Sequence, residues 1–255
     1  MSMGKEDRSM TLVGHLQELR VRLIWVAIFF TVMLVVGFLL AEPIIEFFKQ
    51  SPAAKNLDWH VFSLSDGIRV YIQFAFAIAL TLSLPFTLFQ LWRFVAPGLT
   101  KRERNLTLWF IPVAFILFLV GVSFAYFIIF PMIVQFLTEI ATKLQVVEIY
   151  GFNQYFSFMF NMILPFGILF ELPVVVVFLT RIGIITPKLL IRFRKAAYLI
   201  LVIVAASITP PELVSEILVS LPLILLYEFS IWLSRITAVR RKKSLEQMEE
   251  ELNED

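Results

Sequence analysis

Apolar runs of about 20 residues recur along this chain, and Arg and Lys cluster beyond alternate ends of them. One such run is long enough to cross a hydrocarbon core roughly 30 Å thick, and inside that core only closed hydrogen-bonding patterns survive. The runs do not alternate apolar with polar residues, as the strands of a membrane barrel would. Only 16% of the residues are charged and 59% are hydrophobic, against about a quarter charged in a soluble domain. The pattern therefore predicts an all-α polytopic membrane protein.

Six spans are expected, near Leu23–Ala41, Ile68–Trp92, Leu106–Phe130, Tyr155–Thr180, Ala196–Ile208 and Leu213–Leu233. The fifth has only about 13 residues, short for a bilayer, and requires tilt, protein surroundings or local thinning. The basic residues fix an orientation. They fall in the N-terminal segment (Lys5, Arg8, Arg20, Arg22), the second connection (Arg93, Lys101, Arg102, Arg104), the fourth (Arg181, Lys188, Arg192, Arg194, Lys195) and the tail (Arg235, Arg240, Arg241, Lys242, Lys243). Those four segments hold eighteen of the chain's 22 bases, so both termini are expected in the cytoplasm. The expected division is a cytoplasmic amphipathic segment over 1–22, a six-span domain over 23–234 and a charged cytoplasmic tail over 235–255.

The segment Ser9–Leu23 carries Leu12, Val13, Leu16, Leu19 and Leu23 at helical spacing, with His15, Glu18 and Arg22 mostly opposite. It reads as an amphipathic helix on the membrane surface leading into the first span. The acidic tail reads as a frayed helix or a disordered segment. Two long connections, Glu42–Gly67 and Pro131–Gln154, are expected to cap the outer side. Pro43, Ile44, Ile45, Phe47 and Phe48 open the first of them as an interfacial stretch.

Glu171 is the strongest local anomaly. It sits in "PFGILFELPVVVVFL", flanked by Pro165 and Pro173. A carboxylate at mid-membrane costs roughly 2.5–3.5 kcal/mol on insertion scales, and such acids face protein or a wet cavity. Its alternatives are a functional group or a hydrogen bond to a neighbouring span. The two prolines predict a bent span. Glu216 and Glu228 lie in the last span; Glu228 also fits an interfacial acid paired with Arg235 or a loop base. Gln73, Gln90, Gln135 and Asn161 read as helix–helix hydrogen-bonding positions.

One stretch, "RFVAPGLTKRERN" (Arg93–Asn105), sets a single acid among four bases. Thr100 and Glu103 fit a capping box at the start of the third span's helix. Alternatively, Glu103 beside Phe94 binds a cationic partner. Both roles fit the residues. The chain has no cysteine, no phosphate-binding loop, no catalytic trio and no second metal ligand near His15, so neither enzyme chemistry nor a metal or cofactor is expected.

The blocks "HLQELRVRL" (His15–Leu23), "LWRFVAPGLTKRER" (Leu91–Arg104), "FAYFIIFP" (Phe124–Pro131), "PFGILFELPVV" (Pro165–Val175), "ITPPE" (Ile208–Glu212) and "LPLILLYEFSI" (Leu221–Ile231) resemble the TatC family in order and spacing. The resemblance implies a concave, glove-like bundle of six helices, N-in and C-in, with the last two short. It implies a receptor and core subunit of the twin-arginine translocase, which moves folded proteins across the bacterial cytoplasmic membrane on the proton-motive force. Partners would be twin-arginine signal peptides, single-span TatA and/or TatB proteins, and further copies in a translocase complex. By motif, signal-peptide binding falls on Phe94 and Glu103, with Glu18 and Arg20; partner docking falls on Glu171, Thr209, Glu212 and Glu216. Many relatives carry Asp after the double proline and an amide at position 216, where this chain has Glu212 and Glu216. A proton-coupled carrier of a small solute, built on Glu171, is the rival reading.

Overall fold

The structure is a computed structural model. It describes residues 12–51, 54–55, 57–99, 104, 107–146, 149–209 and 213–254, with side chains from 14 to 242. The described residues form helices and no strands: α1 Leu12–Lys49, α2 Asp66–Val95, α3 Phe110–Phe124, α4 Phe130–Lys143, α5 Phe152–Leu169, α6 Leu172–Arg181, α7 Pro187–Arg192, α8 Arg194–Ile208 and α9 Leu213–Glu254. A π-helical turn, Ala125–Ile129, joins α3 to α4. Among the described residues, five helical stretches are long and apolar enough to cross a membrane: those of α1, α2, α3–α4, α5–α6 and α9. The fifth expected span is α8, 15 residues and about 22 Å long.

Prolines shape the helices without always ending them. Pro173 has no N–H for the carbonyl of Leu169, and its ring crowds that carbonyl. Accordingly α5 stops at Leu169, Phe170 and Glu171 form a turn, and α6 begins at Leu172. The expected bend is thus a break placed at Glu171. Pro131 similarly follows the π-helical turn, where an extra residue loosens the ladder. Pro43, Pro85, Pro165 and Pro222 lie inside helices.

Three expectations need correction. The stretch Pro43–Phe48 is no separate interfacial segment; α1 runs straight through it. There Ile45 is buried, and Phe48 packs edge-on against Phe74 and Tyr126 at 5.5 and 4.9 Å between centroids. The connection after Pro131 begins as helix α4 rather than loop. The segment before Leu23 leads directly into the first span, one helix carrying both. The charged tail prolongs α9 as unbroken helix to 42 residues, so of the last two helices α8 alone is short over its whole length.

Helix α1 packs chiefly on α2, α2 on α3 and α5, α3 on α5 and α6, and α6 on α9, with α8 between α9 and α5. Gly37 sets the α1–α2 approach: a Cβ there would stand 2.4 Å from the carbonyl oxygen of Ala75. The core is aromatic and lies toward one end. Phe74, Phe130, Phe156 and Phe166 are fully buried, and Trp59 from the first connection stacks on Phe156 at 5.6 Å. The two long connections meet over this end as expected. His60 N–H donates to Tyr150 O at 3.2 Å, and Phe152 N–H donates to His60 O at 2.8 Å. The Asp66 carboxylate accepts from Phe62 and Ser63 N–H, both at 3.0 Å, and so fixes the start of α2. The opposite end carries the basic clusters.

Candidate functional site

At the basic end, the seam between α1 and α2 opens into a groove of about 720 Å³. Residues four apart share a helix face, so Glu18 and Arg22 of α1 turn together toward Gln90 of α2. Glu18 and Arg22 form an ion pair, their side chains 21% and 13% exposed. Arg22 Nη1 also donates to Gln90 Oε1 at 3.4 Å. Glu18 Oε2 and Arg22 Nε are buried without a hydrogen-bond partner. The groove therefore holds a half-used carboxylate beside a guanidinium, in surroundings that screen charge poorly. Gln17, Trp25 and Arg93 complete its rim.

Phe94 stands in the last turn of α2, one turn beyond Gln90. It stacks on the His15 imidazole, with centroids 4.1 Å apart and planes at 19°. The structure thus brings Phe94 and Glu18 to one seam from distant points of the chain. It does not bring Arg20 there: Arg20 is exposed and follows Glu18 by two positions, on the other side of α1. Glu103 and its capping partner Thr100 lie outside the described residues, as does Glu212. Beyond Phe94 the chain makes a 3₁₀ turn at Ala96–Gly98 and enters an extended conformation at Leu99.

Arg22, expected only as a topology-setting base and part of the polar face of the N-terminal helix, is a groove residue. The signal was present: Glu four positions before Arg is the favoured orientation of a helical ion pair. The His15–Phe94 stack carried no such signal, because nothing local links the two rings.

Glu171 lines a second, smaller cavity of about 160 Å³ between α2, α3 and α6. Its other walls are mostly apolar, among them Leu88, Leu91, Phe110 and Val175. The polar neighbour Thr107 is already engaged: its hydroxyl accepts from Trp92 Nε1 at 3.0 Å and donates to Arg104 O at 3.2 Å. Glu171 Oε1 is buried and unpartnered. A buried carboxyl oxygen left without a hydrogen bond in mostly apolar surroundings is a cost to the fold.

The remaining candidates stand apart from both places. Thr209 is buried at the end of α8, its hydroxyl donating to Ala205 O at 3.0 Å. Glu216 is half-buried in the first turn of α9. Glu228 is paired with a base of the fourth connection as expected, here Arg194 at the start of α8: Arg194 Nη2 donates to Oε2 at 2.8 Å, and the Tyr198 hydroxyl donates to Oε1. Gln73 donates to Ser157 at 2.7 Å, joining α2 to α5 as expected of a helix–helix polar contact.

Comparison with known proteins gives the family. The family model "Sec-independent protein translocase protein (TatC)" matches residues 14–222. The Sec-independent protein translocase protein TatC of Halalkalibacterium halodurans is 51% identical over 245 residues, covering 96% of each chain. TatCy of Bacillus subtilis is 47% identical over 235 residues, covering 92% of each. A crystal structure of the twin arginine translocase receptor TatC superposes with a TM-score of 0.77 at 31% identity, covering 88% of this chain and 99% of that one. With most of its length matched in both sequence and fold, this chain belongs to the TatC family of Sec-independent protein translocase proteins.

Proposed function

We propose that the chain is the receptor and core subunit of a twin-arginine translocase, a non-catalytic component that binds twin-arginine signal peptides at the α1–α2 groove. The observation that carries this reading is the juxtaposition of Phe94, stacked on His15, with the partly unpartnered Glu18 carboxylate on one seam at the basic end. A guanidinium entering the groove would pair with Glu18, and an aromatic face offers it a second contact. Glu103 follows the last residue of α2, Val95, within the same connection, and supplies a further carboxylate for the second arginine. Arg20 contributes from the opposite side of α1, as a surface cation rather than a wall of the groove.

The same reading assigns six spans with both termini in the cytoplasm of a bacterial cell, the segment before Leu23 and the tail after Ser234 lying on that side. Glu171, Thr209, Glu212 and Glu216 would engage TatA- or TatB-type single-span helices, driven by the proton-motive force, in a complex holding further copies of this chain. The mostly apolar cavity around Glu171 suits one polar group on an apolar helix better than a hydrated solute, which favours a docking site over a carrier site.

Export of a folded reporter bearing a twin-arginine signal tests the receptor role. Glu103→Ala and Glu103→Gln are both expected to abolish export while the protein still inserts. Gln also suits a capping box, so normal export by Glu103→Gln with reduced protein only in Glu103→Ala would leave Glu103 as a cap, worth about 1 kcal/mol.

A further inference from the structure

A second basic feature lies apart from the α1–α2 groove, where the end of α6 meets α9. The turn after α6 places Gly183 at φ +83°, a left-handed conformation that suits glycine. Arg241 of α9 lies directly over it: a Cβ on Gly183 would stand 2.3 Å from Arg241 Nη1 and 2.5 Å from its Cζ. The absent side chain thus makes the seat for a planar guanidinium. Beside that seat is a pocket of about 230 Å³ lined by Thr180, Ile185, Thr186, Pro187, Arg241 and Lys242, with Ala238 behind them. Arg241 Nε is buried there without a hydrogen-bond partner.

The two stretches of chain that form the pocket are basic. Residues 181–195 carry five bases and no acid, and residues 229–244 carry five bases and no acid. Of these bases, Arg194 is paired with Glu228, and Lys242 is also engaged. The pocket's depth is also defined. Thr180 closes the apolar part of α6, and Arg181 begins the charged part, so the opening lies where hydrocarbon gives way to headgroups. Ile185, Pro187 and Ala238 give it an apolar wall beside the cations. Basic pockets between spans at this level suit anionic headgroups.

We infer that this pocket binds the phosphate of an acidic phospholipid headgroup, with Arg241 and Lys242 as its cationic contacts. Such a lipid would join the α6–α7 turn to α9. The inference rests on the membrane fold and not on signal-peptide recognition, so the two can fail separately.

The full chain, purified in detergent and stripped of lipid, is titrated with phosphatidylglycerol or phosphatidylcholine in mixed micelles, and retained lipid is counted by native mass spectrometry. The wild-type chain is expected to retain phosphatidylglycerol over phosphatidylcholine. Arg241→Gln should lower phosphatidylglycerol retention about fivefold and leave phosphatidylcholine unchanged. Lys242→Gln, at an exposed position, should shift it in the same direction and serves if Arg241→Gln does not fold. Inorganic phosphate in excess should not displace the lipid. Unchanged retention in the folded variants would overturn the proposal, as would displacement by inorganic phosphate alone, which would make this a site for a free anion.

Discussion

The two ends of the bundle are built on different terms. At the aromatic end, Phe48, Phe74, Phe130, Phe156 and Trp59 interlock, and the long connections are tied by backbone hydrogen bonds at His60. Gln73, whose amide bonds Ser157, leaves only its Oε1 unpartnered there. At the basic end and in the spans leading to it, Glu18, Arg22, Glu171 and Arg241 each keep a buried polar atom without a partner. Buried polar groups are normally satisfied, so their accumulation here is a cost that packing elsewhere must offset. One end is packed and mostly satisfied; the other keeps polar atoms unsatisfied.

Substitutions separate the two ends. The largest loss of stability is expected from Phe156→Ala, which removes a fully buried ring touching Trp59, Phe74, Phe152 and Tyr155. About 3–5 kcal/mol is typical of such a cavity, read as a lower midpoint of thermal unfolding in detergent. Glu171→Leu should do the reverse. Replacing an unpartnered carboxyl in an apolar cavity is expected to stabilise the chain by about 1–3 kcal/mol while abolishing export; a destabilised variant would show that Glu171 is a structural hydrogen-bonding group. Glu18→Gln removes the counter-charge of the mostly buried Arg22 and should lower stability by about 1–3 kcal/mol. It should also weaken binding of a labelled signal peptide about tenfold, measured by fluorescence anisotropy. The smallest effect is expected from Arg194→Gln, under about 1 kcal/mol in the same unfolding measurement, since both side chains of that pair are 36% exposed.

Much of the aromatic end and the helical architecture was legible as hydrophobic runs. The described parts of all six expected spans fall mainly on helices, because an apolar stretch in lipid has few alternatives to a helix. The helix ends were not legible. Pro43 and Pro131 read as stops, yet α1 continues through the first and α4 begins around the second, since packing of Ile45, Phe48 and Ile133 holds those turns in place. The Glu171 break was half legible: the prolines predicted a bend, and the crowding of Leu169 by Pro173 set where it falls. In the groove, the Glu18–Arg22 pair is local and was readable from spacing. Its junction with Phe94 and Gln90 is long-range, made by the packing of α1 on α2, which no local pattern encodes.

The most direct test of the basic end is site-specific photocrosslinking from position 94 in membranes. A signal peptide with two arginines should crosslink there, and its twin-lysine counterpart should crosslink far less, because a carboxylate groove that recognises planar guanidinium distinguishes the two. Glu18→Gln should reduce the arginine-dependent product. Equal crosslinking of both peptides, or none from position 94 with export intact, would contradict the assignment of the α1–α2 seam as the receptor site.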